Sequence, residues 1–179
     1  ENAHSTPFEM AGLTIEVKAP ILVFREWHRH RVPFGYNEMS ARYVPLPDEN
    51  YCPTVARIIE GAIKAGGNKQ AQGIDGKIPT EEETQRWLDR LMESYELSQA
   101  VYEEGLAIGV PKELARCPVP VARYSRMRAT GNLRGWLAFL SLRTAPGAQW
   151  EIRQYAWAVA ELIKERFPRT WALWDEGRP

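Results

Sequence analysis

The residues with the clearest chemistry form one dense run at residues 25–31, with the sequence Arg-Glu-Trp-His-Arg-His-Arg. The run directly continues the apolar residues 21–24, so part of it is expected to point inward. A half-buried arginine cluster needs anions beside it. Phosphate is the anion we expect, because guanidinium groups match its oxygens with paired hydrogen bonds.

A second set of polar side chains follows within a few residues. Asn37, Glu38, Ser40 and Arg42 can recognise hydroxyl groups and amide edges. Together with residues 25–31 they predict a nucleotide or dinucleotide site. The alternative for any such charge run is a solvated surface loop, and the residues alone leave that alternative open.

More arginines lie in the second half of the chain. The group comprises Arg116, Arg123, Arg126, Arg128, Arg134 and Arg143. Alternation along a strand would place Arg126 and Arg128 on one face, and Arg134 and Arg143 fall on one predicted helix. The competing interpretation is ion pairing with the acidic residues 81–83, 103, 104 and 113.

Other chemistries have little support in the sequence. There is no glycine-rich phosphate loop. His28 and His30 are two residues apart and would diverge on a helix, so no metal site is expected. Cys52 and Cys117 are too few for a disulfide scaffold. We expect them to be reduced and not catalytic.

The elements that must position these side chains can be read from periodicity and capping signals. Apolar residues alternate from Leu13 to Ala19, which predicts a strand, and Pro20 predicts the start of a helix. Thr80 and Glu83 form a capping box before a long helix, and Asn132 caps another. Further helices are predicted at 54–65, 111–114 and 148–166, with an extended stretch at 119–127 and a flexible loop at about 64–79. Residues 25–43 are predicted to form a loop that leads into another short element. Gly105 and Gly109 are expected to end the long helix, and Pro168 is expected to end the last one. The prediction is an α+β fold with two or three long helices and a small sheet.

Composition limits the class of protein. The 179 residues carry 23 basic and 23 acidic side chains, so the net charge is zero. That balance argues against a protein that coats nucleic acid or an anionic membrane. The length predicts a single catalytic domain over residues 1–179. Neither a signal peptide nor a membrane span is recognisable, so we expect a cytoplasmic protein without membrane or nucleic-acid partners.

Several ordered motifs resemble those of the flavin-dependent thymidylate synthases. The Arg-His-Arg of residues 29–31, followed by Asn-Glu-Met-Ser-Ala-Arg-Tyr at 37–43, is similar to the signature of that family. The early His-Ser-Thr-Pro-Phe-Glu at 4–9 and the Ala-Arg at 115–116 match further family segments. Residues 132–134, 139–143 and 148–153 resemble its C-terminal helices. The resemblance covers nearly the whole chain except about 45–80.

The resemblance implies the fold of that family, a homotetramer of α+β subunits with a small antiparallel sheet and active sites shared between chains. It implies FAD as cofactor, with NADPH and methylenetetrahydrofolate as co-substrates and no metal. The residues that it places near FAD are His4, Thr6, Glu9, Arg29, His30, Arg31, Asn37, Asn132, Arg134 and Leu142.

The resemblance also implies the substrate, a uridine monophosphate nucleotide that is methylated at C5. The residues expected to bind it are Glu26, Glu38, Ser40, Ala41, Arg42, Arg116 and Arg143. Arg143 and Ser40 are the ones expected to act in catalysis, with Arg143 at the pyrimidine ring.

Three departures from the family pattern bear on the substrate. Eight residues, 32–39, separate Arg31 from Ser40 where seven are usual. Glu26 stands where the family usually has Gln, and an ionised carboxylate there would suit one more hydroxyl group. The third departure is that the several dozen residues that usually precede the Thr-Pro-Phe-Glu motif are expected to be absent. UMP therefore remains an alternative to dUMP, with 5-methyl-UMP as product for a nucleoside-antibiotic pathway. A non-catalytic nucleotide or RNA binder is the remote alternative.

Overall fold

A computed structural model describes residues 4–64 and 77–176. Its strands form one three-stranded sheet in the order β1-β3-β2, from β1 (Gly12–Pro20), β2 (Gly35–Glu38) and β3 (Tyr124–Asn132). The backbone amide of Ile21 donates to the carbonyl of Arg123 and that of Leu133 to Ala11, so β1 and β3 are antiparallel. The helix-rich α+β fold with a small antiparallel sheet is confirmed.

Seven helices accompany the sheet in the described residues, together with a 3₁₀ turn at Thr6–Glu9. They are α1 (Ile21–Trp27), α2 (Val55–Lys64), α3 (Glu81–Ala107), α4 (Lys112–Ala115), α5 (Leu133–Arg143), α6 (Trp150–Arg166) and α7 (Pro168–Glu176). None of the helices within 4–64 and 77–176 is both long and apolar enough to cross a membrane.

The predicted helix caps are present. The Thr80 hydroxyl accepts from the Glu83 amide at 3.2 Å, and the Glu83 carboxylate accepts from the Thr80 amide at 2.9 Å. These bonds lower the pKa of Glu83. The Asn132 side chain accepts from the Gly135 amide at 3.0 Å and so caps α5.

Four element predictions need correction. The segment read as a loop from residue 25 is helical as far as Trp27, because Trp27 is fully buried and continues the apolar face of α1. The extended stretch begins at Tyr124 and runs on to Asn132. Gly105 lies inside α3, and only Gly109, with a φ of 86°, follows its end. Helix α7 was missed, because Pro168 was interpreted as a stop although proline is also favoured at a first helical position.

The chain divides into two compact units, and most of the flexible loop predicted at 64–79 lies outside the described residues. The first unit comprises Glu1–Glu16, Arg25–Tyr36 and Arg128–Pro179. The second comprises Val17–Phe24 and Asn37–Met127. The single catalytic domain stays a prediction.

The core of the first unit lies between α5, α6 and an aromatic cluster. Helix α6 buries Ile152, Ala156, Val159 and Ile163 along one face, at the spacing expected for a helix. Trp27 stacks on Phe139 of α5 with ring centroids 4.9 Å apart. This packing leaves the last turn of α5, which carries Arg143, next to the end of α1.

The second unit packs around α3 and a buried arginine. Leu88, Tyr95 and Tyr102 of α3 are buried at intervals of seven residues. The Tyr95 hydroxyl donates to the Tyr51 carbonyl at 3.1 Å. Arg123, which is 1% exposed, completes this core.

Candidate active site

In the first unit, the loop that follows α1 is held by the side chain of Tyr36, a residue of β2. The Tyr36 hydroxyl donates to the carbonyls of Trp27, at 3.2 Å, and of His30. Burial raises the pKa of Tyr36 to about 12, so this hydroxyl stays protonated and keeps donating at physiological pH. Tyr36 therefore holds the backbone on which the Arg-His-Arg sequence is carried.

The turn between Arg31 and β2 is fixed by two glycines. The Phe34 ring packs at 4.7 Å, edge to face, on Trp136 of α5. A β-carbon at Gly131 would lie 2.8 Å from the Phe34 ring, and one at Gly135 would overlap the Pro33 ring. Only glycine permits this close approach, so the turn after Arg31 packs tightly through the Pro33-Phe34 pair.

Arg143, at the C-terminal end of α5, is the centre of a polar cluster. Its Nη1 donates to Glu26 Oε2 at 2.7 Å, and its Nη2 donates to the Glu26 backbone carbonyl at 2.9 Å. Its Nε donates to His30 Nε2 at 2.8 Å. Only 16% of the Arg143 side chain is exposed, compared with 38% of Glu26. The structure thus brings together three of the residues selected from the sequence.

His30 is neutral in this cluster. Burial, the Arg143 guanidinium and, in the opposite direction, the Glu26 carboxylate leave the pKa of His30 at about 4. An unprotonated Nε2 can accept the Arg143 N–H, which places the imidazole proton on Nδ1. A guanidinium has five N–H groups and three are used here, so two remain for a ligand.

Two of the residues expected near a flavin form an ion pair elsewhere in the first unit. Arg134, in the first turn of α5, donates to the carboxylate of Glu9 in the 3₁₀ turn. Asn132 lies beside them, and its side-chain oxygen is used as the α5 cap. The ion pair joins the 4–9 motif segment to the start of α5, 125 residues later in the sequence.

The remaining expected flavin residues of the first unit are more accessible. His4, Thr6, Arg29 and Arg31 are exposed, and Leu142 is 63% exposed. The guanidinium groups of Arg29 and Arg31 have no ion-pair partner among the described residues. These cations can therefore meet an anionic ligand without first breaking a salt bridge.

The second unit carries the other expected nucleotide residues on a turn. The Ser40 hydroxyl accepts from the Arg42 amide at 3.3 Å, and Ala41 is buried. Arg42 lies against Tyr43, with its guanidinium carbon 5.3 Å from the ring centroid. Lys112 of α4 donates to the Tyr43 carbonyl at 3.2 Å and so ties the turn down.

The remaining expected residues of the second unit are exposed: Asn37, assigned to the flavin, and Glu38 and Arg116, assigned to the nucleotide. Asn37 and Glu38 are the last two residues of β2, and both side chains are exposed. Arg116 follows α4 and donates through Nε to the Glu113 carbonyl at 3.3 Å. Its remaining N–H groups are on the outside of the second unit, where an anion can reach them.

The rest of the second arginine group has different roles. Arg123 is buried and bonded to Asp48, to the Pro47 carbonyl and to Gln99, so the ion-pairing interpretation was correct for it with different partners. Arg128 is exposed and pairs with Glu16 at 3.4 Å. Arg126 and Arg128 share an exposed face of β3, as predicted.

Sequence reasoning missed several residues that shape these sites. Tyr36 and Lys112 donate hydrogen bonds to backbone carbonyls, and no residue pattern in the sequence predicts such contacts. Pro33, Phe34 and Gly135 form one packed contact. Gly131 in β3 and Gly135 in α5 were a usable signal, because a glycine inside a strand or a helix often marks a close approach of a neighbour.

Comparison with known proteins agrees with this architecture. Residues 1–169 match the family described as thymidylate synthase complementing protein. Flavin-dependent thymidylate synthases of Thermosipho africanus and Thermus thermophilus are each 41% identical to this protein, over 95% and 97% of the chain. The chain spans 71% and 60% of the lengths of those relatives.

Two solved structures share the fold. They are of the UMP/dUMP methylase PolB from Streptomyces cacaoi, bound with 5-Br UMP and with 5-Br dUMP. Each is 30% identical in sequence and covers 98% of this chain, with TM-scores of 0.82 and 0.83. The matches cover 79% and 77% of the methylase chains. The predictions of the family and of an enzyme of methyltransferase type are confirmed: the chain belongs to the flavin-dependent thymidylate synthases.

Proposed function

We propose that the protein catalyses the reductive C5-methylation of a uridine monophosphate, converting dUMP to dTMP and accepting UMP as well. Methylenetetrahydrofolate would supply the carbon and NADPH the reducing equivalents, with FAD as cofactor. The observation that carries the proposal is Arg143, held half-buried by Glu26 and His30 with two N–H groups left over. The family match over residues 1–169 supports it.

Arg143 suits the chemical step. C5 of uracil attacks the electrophilic one-carbon unit as an enolate-like carbon, so negative charge must develop on the C4 carbonyl oxygen before the new bond forms. A guanidinium fixed in advance beside that oxygen stabilises the developing charge without having to reorganise. The low exposure of Arg143 strengthens this effect, since water screens the interaction less. Ser40, at the turn that carries Arg42, is the other residue that we propose to act in catalysis, by orienting the nucleotide.

The first unit fits a flavin dinucleotide by its charge. The pyrophosphate of FAD needs cations and hydrogen-bond donors, and Arg29, Arg31 and Arg134 are exposed cations of the right kind. His30 through its backbone, Leu142 through its exposed side chain and Asn132 through its amide would complete the contacts, with His4, Thr6, Glu9 and Asn37. When bound, the flavin supplies the electrons that turn the one-carbon unit into a methyl group.

The nucleotide phosphate fits the second unit. Arg42 and Arg116 present exposed guanidinium groups, and the Ser40 turn presents a hydroxyl and a backbone amide. Ala41 would pack against the sugar, and Glu38 can accept from its hydroxyl groups.

A homotetramer with active sites shared between subunits is proposed with this assignment. Exposed apolar side chains of α3, among them Trp87 and Leu97, support such an assembly.

A dedicated UMP methylase is the second candidate. The related PolB structures are of a methylase named for both nucleotides, and the 32–39 segment has one residue more than the family pattern. A cytoplasmic location, and the lack of nucleic-acid or membrane partners, remain predictions with either substrate.

A competition assay tests the proposal. Equal concentrations of dUMP and UMP are supplied with FAD, NADPH and methylenetetrahydrofolate, and both methylated products are quantified by mass spectrometry. We expect dTMP together with a measurable yield of 5-methyl-UMP. Formation of dTMP alone would contradict the relaxed sugar specificity. Formation of 5-methyl-UMP alone would favour the dedicated methylase. Formation of neither product, with FAD shown to be bound, would overturn the proposed function.

A further inference from the structure

The contacts of Arg143 are unusual for a residue that is expected to bind substrate. All three guanidinium nitrogens already donate within the chain, two of them to one residue, Glu26. One of the Glu26 acceptors is its side-chain carboxylate and the other its backbone carbonyl. A carboxylate that faces Arg143 in this way does not match the role of a ribose-binding group suggested by the substitution of Glu for Gln.

We propose that Glu26 and neutral His30 are positioning residues for Arg143, which they hold in a single orientation so that its two remaining N–H groups meet the pyrimidine. This inference rests on the proposed function and assigns a role to the Glu that distinguishes this chain from the family pattern. Glu26 acts through Arg143 and not on the sugar.

The physical reason is conformational entropy. A free arginine side chain loses much of its rotamer entropy when it is immobilised. If the fold immobilises Arg143 before substrate arrives, this entropy loss does not weaken substrate binding or raise the activation free energy. Glu26 holds the end of the guanidinium through Nη1 and Nη2, and His30 holds its inner edge through Nε.

The surroundings of His30 support the same role. Its ring lies 5.0 Å from Phe139, near-perpendicular to it, and its carbonyl accepts from Tyr36. These contacts fix the imidazole with Nε2 towards Arg143. Were His30 protonated, it would be a donor only and would repel the guanidinium. The charged and titratable groups that face it in the described residues are Arg143 of α5, Glu26 of α1 and Tyr36 of β2.

The test compares Glu26→Ala, which removes the carboxylate, with Glu26→Gln, whose side-chain oxygen can still accept from Nη1. Glu16→Ala is the matched control, because it removes the carboxylate of another Glu–Arg pair, the exposed one with Arg128. For each variant, kcat and KM are measured with dUMP and separately with UMP, alongside thermal unfolding and flavin content.

We expect Glu26→Ala to lower kcat about 100-fold with both nucleotides, since misplacing a catalytic group by about 1 Å costs this much. Glu26→Gln should restore kcat to within about fivefold of the wild type, because a neutral hydrogen bond is retained. The ratio of dUMP to UMP turnover should stay unchanged, and Glu16→Ala should match the wild type. A changed sugar ratio in Glu26→Gln would overturn the proposal in favour of ribose recognition.

A second measurement needs no turnover. In protein labelled with ¹⁵N-arginine, the Arg143 Nε–H resonance is assigned by its loss in Arg143→Ala. Its exchange with water should be slow in the wild type and Glu26→Gln, and fast in Glu26→Ala. Equal exchange rates in all three proteins would contradict the positioning role of Glu26, even if methylation is observed. Slow exchange in a protein that makes no methylated nucleotide would instead sink the proposed function and leave the hydrogen-bonded arrangement established.

Discussion

Two arginine clusters in this chain have similar hydrogen bonding and different exposure. Arg123, in the second unit, donates to Pro47 and Gln99 and pairs with Asp48. Arg143, in the first unit, donates to Glu26 and His30. Arg123 is 1% exposed, whereas 16% of the Arg143 side chain is exposed, at a cluster with a half-buried histidine.

The difference separates a structural arginine from the one that we propose as a substrate-binding residue. Both need a carboxylate, because an unpaired guanidinium is costly to bury. In Arg123 the Nε is buried without a partner among the described residues, and no ligand can reach it. Around Arg143 the aromatic cluster leaves one side open. Exposure, and not the number of hydrogen bonds, is therefore what distinguishes Arg143, the arginine that we propose to meet a substrate.

The largest effect is expected from Arg143→Ala. Methyl transfer should fall at least about 1,000-fold, because a preorganised charge at the developing oxyanion is lost. The variant should still fold, with a moderate drop in Tm, because three hydrogen bonds of a mostly buried side chain are lost. Product formation and a melting curve are compared with those of the wild type. Normal turnover in this variant would show that the uracil ring lies elsewhere.

Arg123→Met should give the opposite pattern. The change keeps most of the volume and removes three contacts from a buried network, so the free energy of unfolding should drop by about 2–3 kcal/mol. Chemical denaturation measures it. Folded protein should retain kcat within about twofold. A large loss of kcat with unchanged stability would show that Arg123 acts in catalysis, and would contradict the contrast drawn between Arg123 and Arg143.

Gly135→Ala tests the packing that carries the Arg-His-Arg loop. The new β-carbon would overlap the Pro33 ring, which cannot move aside as a flexible side chain does. Overpacking of this kind costs about 1–3 kcal/mol. Because the displaced turn follows His30, the hydrogen bond from Arg143 should also weaken. Thermal melts and kcat measure the two effects. Gly61→Ala on α2, where only the flexible end of Arg57 is close, is the control.

The smallest effect concerns pH. The pKa of His30 is about 4 in the folded protein and near its ordinary value of 6.5 in the unfolded chain. The unfolded state therefore binds a proton first as pH falls, and stability should decrease between about pH 6.5 and 4. Below pH 4 this contribution should be constant.

The variant His30→Asn should flatten that slope in thermal melts recorded from pH 4 to 7. His28, whose pKa is also lowered, first by burial and then by Arg25, contributes a slope of the same sign in both proteins. An identical slope in the wild type and His30→Asn would contradict the neutral state of His30. Arg123→Met should keep the wild-type slope, because its cluster contains no histidine.

Local signals account for much of what the sequence determined. The Thr80 capping box, the Asn132 cap and the alternation in β1 are local patterns, and each one is present in the structure. The Arg-His-Arg motif and its companions identified the family, because several motifs in order are more specific than any one of them. The role of the carboxylate at position 26 was not determined, because a residue type does not say which way it faces.

Only the tertiary structure decided which of these residues meet. Glu26 and Arg143 are 117 residues apart, and Arg123 and Pro47 are 76 apart. No sequence pattern encodes such pairs, since they arise when helices and strands pack on a shared core. The same packing buried Arg123 and left Arg143 partly open, and it pressed Pro33 and Phe34 against two glycines. Periodicity and capping specify elements through neighbours a few residues apart, whereas burial and long-range hydrogen bonds come only from packing.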